Sequence, residues 1–231
     1  MPNYANLFEF LRVRSVPKLF WTSPTRLTLF PAPVSALFLV LGLIIFGVGE
    51  ALLVAASTGV SPWTVLAQGL VVQTGWSLGL ATLIISFSVL ALWIPLQQVP
   101  GLGTILNALI IAAVLEYVLP WIPTPSNRIS GLLLAMTGVV ITGLGGAIYL
   151  IANLGPGPRD GLMTGINEKT GWPIAWIRSG LEVSVVLLGV ALGGQFGVGT
   201  LLFALGIGPA VALGLHLCKR LFGSVTQTPL P

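Results

Sequence analysis

Gly155-Pro-Gly-Pro-Arg-Asp-Gly-Leu-Met-Thr-Gly165 stands 96 residues after Gly59-Val-Ser-Pro-Trp-Thr-Val-Leu-Ala-Gln-Gly69. Both are a Gly/Pro turn leading into a short apolar stretch. The same offset holds, without a gap, well beyond them. Gly42, Gly47 and Gly49 fall on Gly138, Gly143 and Gly145, and Thr74-Gly75-Trp76 falls on Thr170-Gly171-Trp172. Gly101-Leu-Gly-Thr104 falls on Gly197-Val-Gly-Thr200. Apolar helices resemble one another by chance, but chance does not align Gly, Pro, Thr and Trp over so long a stretch. A fixed offset of this kind marks a duplicated structural unit.

Around these turns the chain is apolar. Of its 231 residues 55% are hydrophobic and 7% are charged, with a mean hydropathy of +0.99. A soluble domain carries about 25% charged residues, so the solvent expected here is a bilayer. Six segments reach the roughly 20 residues a spanning helix needs: 33–57, 76–96, 102–120, 130–154, 173–193 and 199–218. The predicted fold class is all-α, a polytopic bundle of six transmembrane helices in two three-helix repeats. An odd number of spans per repeat turns the second copy over, so the repeats are expected to be inverted, an architecture typical of secondary transporters and channels. The predicted organisation is an interfacial segment over 1–32, repeats over 33–120 and 129–218, and a cytoplasmic tail over 219–231.

The basic residues set the orientation. With the N-terminus inside, Arg12, Arg14, Lys18, Arg26, Arg159, Lys169, Lys219 and Arg220 all fall on the cytoplasmic side. Only Arg128 falls in an outer loop, and Arg178 lies within span 5. This bias predicts a multi-pass protein of the cell membrane with both termini cytoplasmic. The net charge of +4 is not gathered into an aromatic-interleaved patch, so no nucleic-acid partner is expected. Residues 1–28 mix Leu7, Phe8, Phe10, Leu11, Phe20 and Trp21 with basic residues, as a segment lying on the inner leaflet would. Ala55-Ala56-Ser57 could pass for a signal-peptidase site, but the preceding apolar run is longer than such a leader uses. The single cysteine and single histidine exclude an intrachain disulfide and the usual zinc sites. Neither a metal nor a cofactor is expected.

Residues 62–73 would span about 18 Å as a helix, too short to cross, and too apolar to float in water. A short re-entrant or interfacial helix after the first span of each repeat satisfies both facts. In an inverted pair one enters from each side, and their turns (Gly59 and Pro62; Gly155, Gly157 and Pro158) could approach the midplane together, with free N–H groups for a polar solute. Asp160 is positioned to cap the second short helix. Arg159 could bind a carboxylate or phosphate, or anchor at the headgroups. Trp63 and Thr64 replace this pair in repeat one, with Gln68 a turn further on.

Charges within spans are candidate functional residues. Glu50 is the leading candidate for a coupling carboxylate, with a hydrogen bond to a neighbouring helix as the structural alternative. Arg178 and Glu182 are spaced to pair on one face. Glu116 is read as a solvated span end, and His216 as interfacial. Glycines of spans 1 and 4 suit close helix crossing.

The pattern G-x-G/S-P-x-x-x-L-x-x-G, then T-G-W, then P-G-L-G-T with Asn107 and Glu116, resembles the YczE/YitT-type bacterial membrane proteins. Gly155-Pro-Gly-Pro-Arg-Asp-Gly-Leu-Met163 and Gly199-Thr-Leu-Leu-Phe-Ala-Leu-Gly-Ile-Gly-Pro209 resemble the YczE branch. The likeness covers about residues 35–218 and implies a membrane class without a substrate. Thr64 and Ala67 stand where the first loop of that family usually has an acid and a histidine, which argues against a proton or cation role for the first loop here. The leading functional expectation is a small-solute transporter or exporter with its site between the 59–68 and 155–164 turns. The alternative is a structural or regulatory membrane protein assisting a partner enzyme or complex, and homo-oligomerisation is left open. No Ser-His-Asp set, zinc triad or phosphate-binding loop is present, so an enzyme is not expected.

Overall fold

The computed structural model describes residues 16–223. Arg12, Arg14 and the apolar side chains at 7–11 lie outside the described residues, as do residues 224–231 of the expected tail. Nine α-helices are formed among the described residues: α1 (Pro33–Ala55), α2 (Pro62–Thr74), α3 (Leu78–Ala91), α4 (Trp93–Leu96), α5 (Leu102–Val118), α6 (Arg128–Ala152), α7 (Pro158–Thr170), α8 (Ile174–Ala191) and α9 (Val198–Phe222). Six spans are long and apolar enough to cross a membrane: α1, α3 with α4, α5 with the turn after it, α6, α8 and α9.

Prolines and glycines set the breaks. Pro62 and Pro158 occupy the first turns of α2 and α7, where the missing N–H is not needed. Gly75 and Gly171 end these helices in the left-handed conformation, the usual C-terminal use of glycine. The second span is not one helix as expected. Pro95 lacks the N–H that would reach back one turn, and α3 stops at Ala91 before the short α4. Span 6 runs four residues past its expected end, with Lys219 and Arg220 in its last turn, where cations oppose the helix dipole favourably.

α1 and α6 form the centre and cross through glycine. A Cβ on Gly42 would lie 3.0 Å from the Gly145 carbonyl oxygen, and one on Gly49 would lie 2.7 Å from that of Gly138. The pairing runs up one helix and down the other, so α1 and α6 are antiparallel. α5 packs on α1 and α9 packs on α6. Each short helix packs across the midline: α2 lies against α8, and α7 against α3 and α4. The Trp93 indole N–H donates to the Pro158 carbonyl at 3.0 Å.

The turns are pinned in the same crossed manner. Gly103 N–H donates to Leu154 O at 2.7 Å, and Gly199 N–H donates to Thr58 O at 2.8 Å. Gly59 and Gly155 have φ of 110° and 116°, a region closed to most side chains. Before α1, Leu19 and Trp21 are buried. The Trp21 ring stacks on Phe38 with centroids 4.2 Å apart, and Ser23 N–H donates to Ala152 O. Large apolar side chains cover the outer faces of the spans, among them Leu41, Ile84, Leu133, Leu187 and Leu205. Such a surface belongs in lipid.

Candidate functional site

The first turns of α2 and α7 place Trp63 and Arg159 at corresponding positions, and the two meet. The Arg159 guanidinium carbon lies 5.7 Å from the Trp63 ring centroid, within cation–π range. A cavity extends from each side of this contact.

The narrower chamber has a volume of about 30 Å³, room for one or two waters. Glu50, Thr64, Thr82, Ser86 and Asn107 supply its polar wall. Glu50 is 1% exposed. Its Oε2 accepts from Ser61 Oγ at 2.8 Å and from Thr64 Oγ1 at 2.9 Å, and the two hydroxyls are 2.8 Å apart. Its Oε1 is buried and has no hydrogen-bond partner among the described residues, and neither has Thr82 Oγ1. Ser61 precedes α2 and Thr64 lies in its first turn, so the start of that helix, its positive end, lies beside this carboxylate.

The wider crevice has a volume of about 240 Å³. Arg159, Asp160, Arg178 and Glu182 line it with Phe203, Ile207 and Val211. Arg178 Nε donates to Glu182 Oε1 at 2.9 Å, the one ion pair among the described residues. Tyr149 Oη donates to Asp160 Oδ2 at 3.3 Å. Asn107 lines both spaces and is buried. No side-chain hydrogen bond is made by its amide among the described residues.

The two walls correspond at the 96-residue offset. Glu50, Thr64, Thr82 and Ser86 of the chamber match Gly146, Asp160, Arg178 and Glu182 of the crevice. Asn107, Ile111 and Leu115 match Phe203, Ile207 and Val211. The volumes differ because the flanking helices differ. α3 packs on α5, with Gly79 against Ala112 and Glu116, whereas α8 and α9 hardly touch.

The structure thus brings together Glu50, Trp63, Thr64, Asn107, Arg159, Asp160, Arg178 and Glu182. It does not bring Gln68 or Glu116 to the same place. Gln68 Oε1 accepts from Gln195 N–H at 3.1 Å and anchors the loop before α9. Glu116 is half-buried against Gly79 and lines neither cavity. Asp160 is not the cap expected of it. Gly157 takes the cap position, Pro158 follows, and Asp160 is third in the helix, which turns its carboxylate towards Tyr149. Ser61, Thr82, Ser86 and Tyr149 escaped the sequence reading. Thr82 and Ser86 were findable, because they sit 96 residues before the charged pair. No cluster of three or more His, Cys, Asp or Glu side chains occurs among the described residues.

Comparison with known proteins places the chain. The family of unknown function DUF6198 matches residues 34–215. An uncharacterized protein of Haemophilus influenzae is 40% identical over 210 residues, covering 91% of this chain and 95% of that one. The uncharacterized membrane protein YczE of Bacillus subtilis is 34% identical over 170 residues, covering 71% of this chain and 77% of that one. No solved structure matches. The chain belongs to the DUF6198 family and is a membrane protein of the YczE type.

Proposed function

We propose that this protein is a small-solute transporter of the cell membrane, built from two copies of one three-span unit in opposite orientations, with its site at the Trp63–Arg159 contact. One observation carries the reading. Two cavities with matching wall positions flank that contact, and one is narrow while the other is wide. Inversion of the copies is supported by the antiparallel crossing of α1 and α6 and by the exchanged turn hydrogen bonds. Inverted repeats holding a site at their interface suit alternating access.

With both termini cytoplasmic, the α8–α9 crevice lies in the inner half of the membrane and the Glu50 chamber in the outer half. The described state is then the inward-open one. In the outward-open state α8 closes on α9, and α3 separates from α5. Arg159 and Asp160 supply a cation and an anion at the site, so the solutes to be tested first are organic anions, amines and zwitterions.

Ligand-induced shifts in thermal unfolding of the purified protein test the site, followed by uptake into proteoliposomes. A transported solute should raise the melting temperature, and Arg159→Gln or Asp160→Asn should abolish the rise. The reading fails if no solute of these classes shifts the melt, or if the shift is indifferent to both substitutions.

A further inference from the structure

The geometry points to a sodium-ion site in the narrow chamber, with Glu50 as its charged ligand and Thr64, Thr82, Ser86 and Asn107 as neutral ones. Glu50 Oε1 and Thr82 Oγ1 are both buried, both without a hydrogen-bond partner among the described residues, and both residues line this chamber. Thr64 Oγ1 and Ser86 Oγ keep lone pairs free after donating to Glu50 Oε2 and to the Thr82 carbonyl. The Asn107 amide can present its oxygen.

The wide crevice supplies the control. At the positions of Thr82 and Ser86 it carries Arg178 and Glu182, paired at 2.9 Å. There the framework brings its own cation. In the chamber the same two positions hold hydroxyls, and the carboxylate of Glu50 has no ion pair among the described residues. Arg159 reaches the rim but is engaged with the Trp63 face. The start of α2 contributes about half a positive charge. An ionised carboxylate buried within a membrane-spanning helix is expensive without a full counter-charge.

The chemistry of the wall selects the ion. Oxygen donors favour a hard cation. One carboxylate among neutral ligands matches a single positive charge, whereas calcium sites gather several charged oxygens. A volume of about 30 Å³ has room for a bare monovalent ion, and the high field strength of a carboxylate favours the smaller one, sodium over potassium. Thr64 and Ala67 leave the turn of α2 without a charged side chain at those positions, and the charge needed here comes from Glu50 on α1.

The binding claim stands on the chamber alone. Its role as coupling ion rests on the transporter reading. The test is thermal unfolding of the full chain in detergent, at fixed ionic strength, in sodium, potassium or choline chloride. Sodium should raise the melting temperature saturably by several degrees, potassium less, and choline not at all. Glu50→Gln should remove the response. Thr82→Val keeps the shape, so it serves where Glu50→Gln fails to fold, and it should raise the half-saturating sodium concentration about tenfold, the scale of one lost ligand.

Equal melting in the three salts overturns the proposal, as does a sodium response retained in Glu50→Gln and Thr82→Val. A stabilisation by acid alone, lost in Glu50→Gln, assigns a proton to Oε1 and overturns it too. Solute-induced shifts through Arg159 are read separately, so loss of one site is distinguishable from loss of the other.

Discussion

Trp63 and Arg159 are the same position in the two halves of the chain, and they touch each other. Under the proposed inversion of the two copies, a residue that meets its own counterpart lies on the axis relating them. Both residues line both cavities, and they are one of the places where the two halves of the chain differ in charge. Arg159→Lys keeps the charge but loses the flat guanidinium, which stacks on aromatic faces. The change should weaken solute binding without abolishing it, and Trp63→Leu should do the same. Either should cost about 0.5–2 kcal/mol of stability, the range of a cation–π contact. Thermal unfolding with and without solute separates the two effects.

The α1–α6 crossing makes a second prediction. Gly42→Ala should destabilise, since its Cβ would sit 2.6 Å from Tyr149 N with backbone on the far side. Gly145→Ala should do so too, since its Cβ would sit 2.6 Å from Gly42 O. Overpacking of this kind costs about 1–3 kcal/mol. Gly180 is the control, because nothing lies within 4 Å of its added Cβ. Gly180→Ala should be neutral or mildly stabilising, by up to about 1 kcal/mol, as glycine is a poor helix former. Unfolding of the three variants in one detergent decides the comparison.

Much of this architecture was legible in the sequence, for a physical reason. Spans, breaks and the short α2 and α7 are set by hydropathy and by Gly and Pro, which act locally. The offset of 96 residues also located the pair Trp63 and Arg159. What remained hidden depends on side-chain direction. Glu50 looked unpartnered because Ser61 and Thr64 reach it from a different helix. Tyr149 looked like one more apolar residue of α6 until its hydroxyl met Asp160. The gap between α8 and α9 could not be read from two helices that are both apolar enough to span a membrane.

The triangle of Glu50, Ser61 and Thr64 should behave as a unit. Each hydroxyl can satisfy the carboxylate in part when the other is removed. Ser61→Ala and Thr64→Val should therefore each cost about 1 kcal/mol, the net value of one hydrogen bond. Their combination should cost more than the sum, because it leaves a buried carboxylate with no donor at all. A double-mutant cycle on unfolding free energies reads the difference. Additivity within error would mean that the two hydroxyls act independently.

Chemical accessibility tests the relation between the two cavities. Ser86 and Glu182 are matched positions, one on the narrow chamber and one on the wide crevice. The native Cys218 is buried, so the unsubstituted chain should show a low background with a water-soluble thiol reagent. Glu182→Cys should react quickly, and from the cytoplasmic side of oriented vesicles. Ser86→Cys should be slow in the same state, because α3 packed on α5 closes its route. A transported solute that drives the exchange should slow reaction at 182 and open position 86 to the outer side, since a ligand moves the equilibrium towards whichever state it binds better. If both positions react from the same side, the cavities do not face opposite sides of the membrane, and alternating access about Trp63 and Arg159 is wrong. If neither rate responds to any solute that shifts the melt, that solute binds without moving the helices.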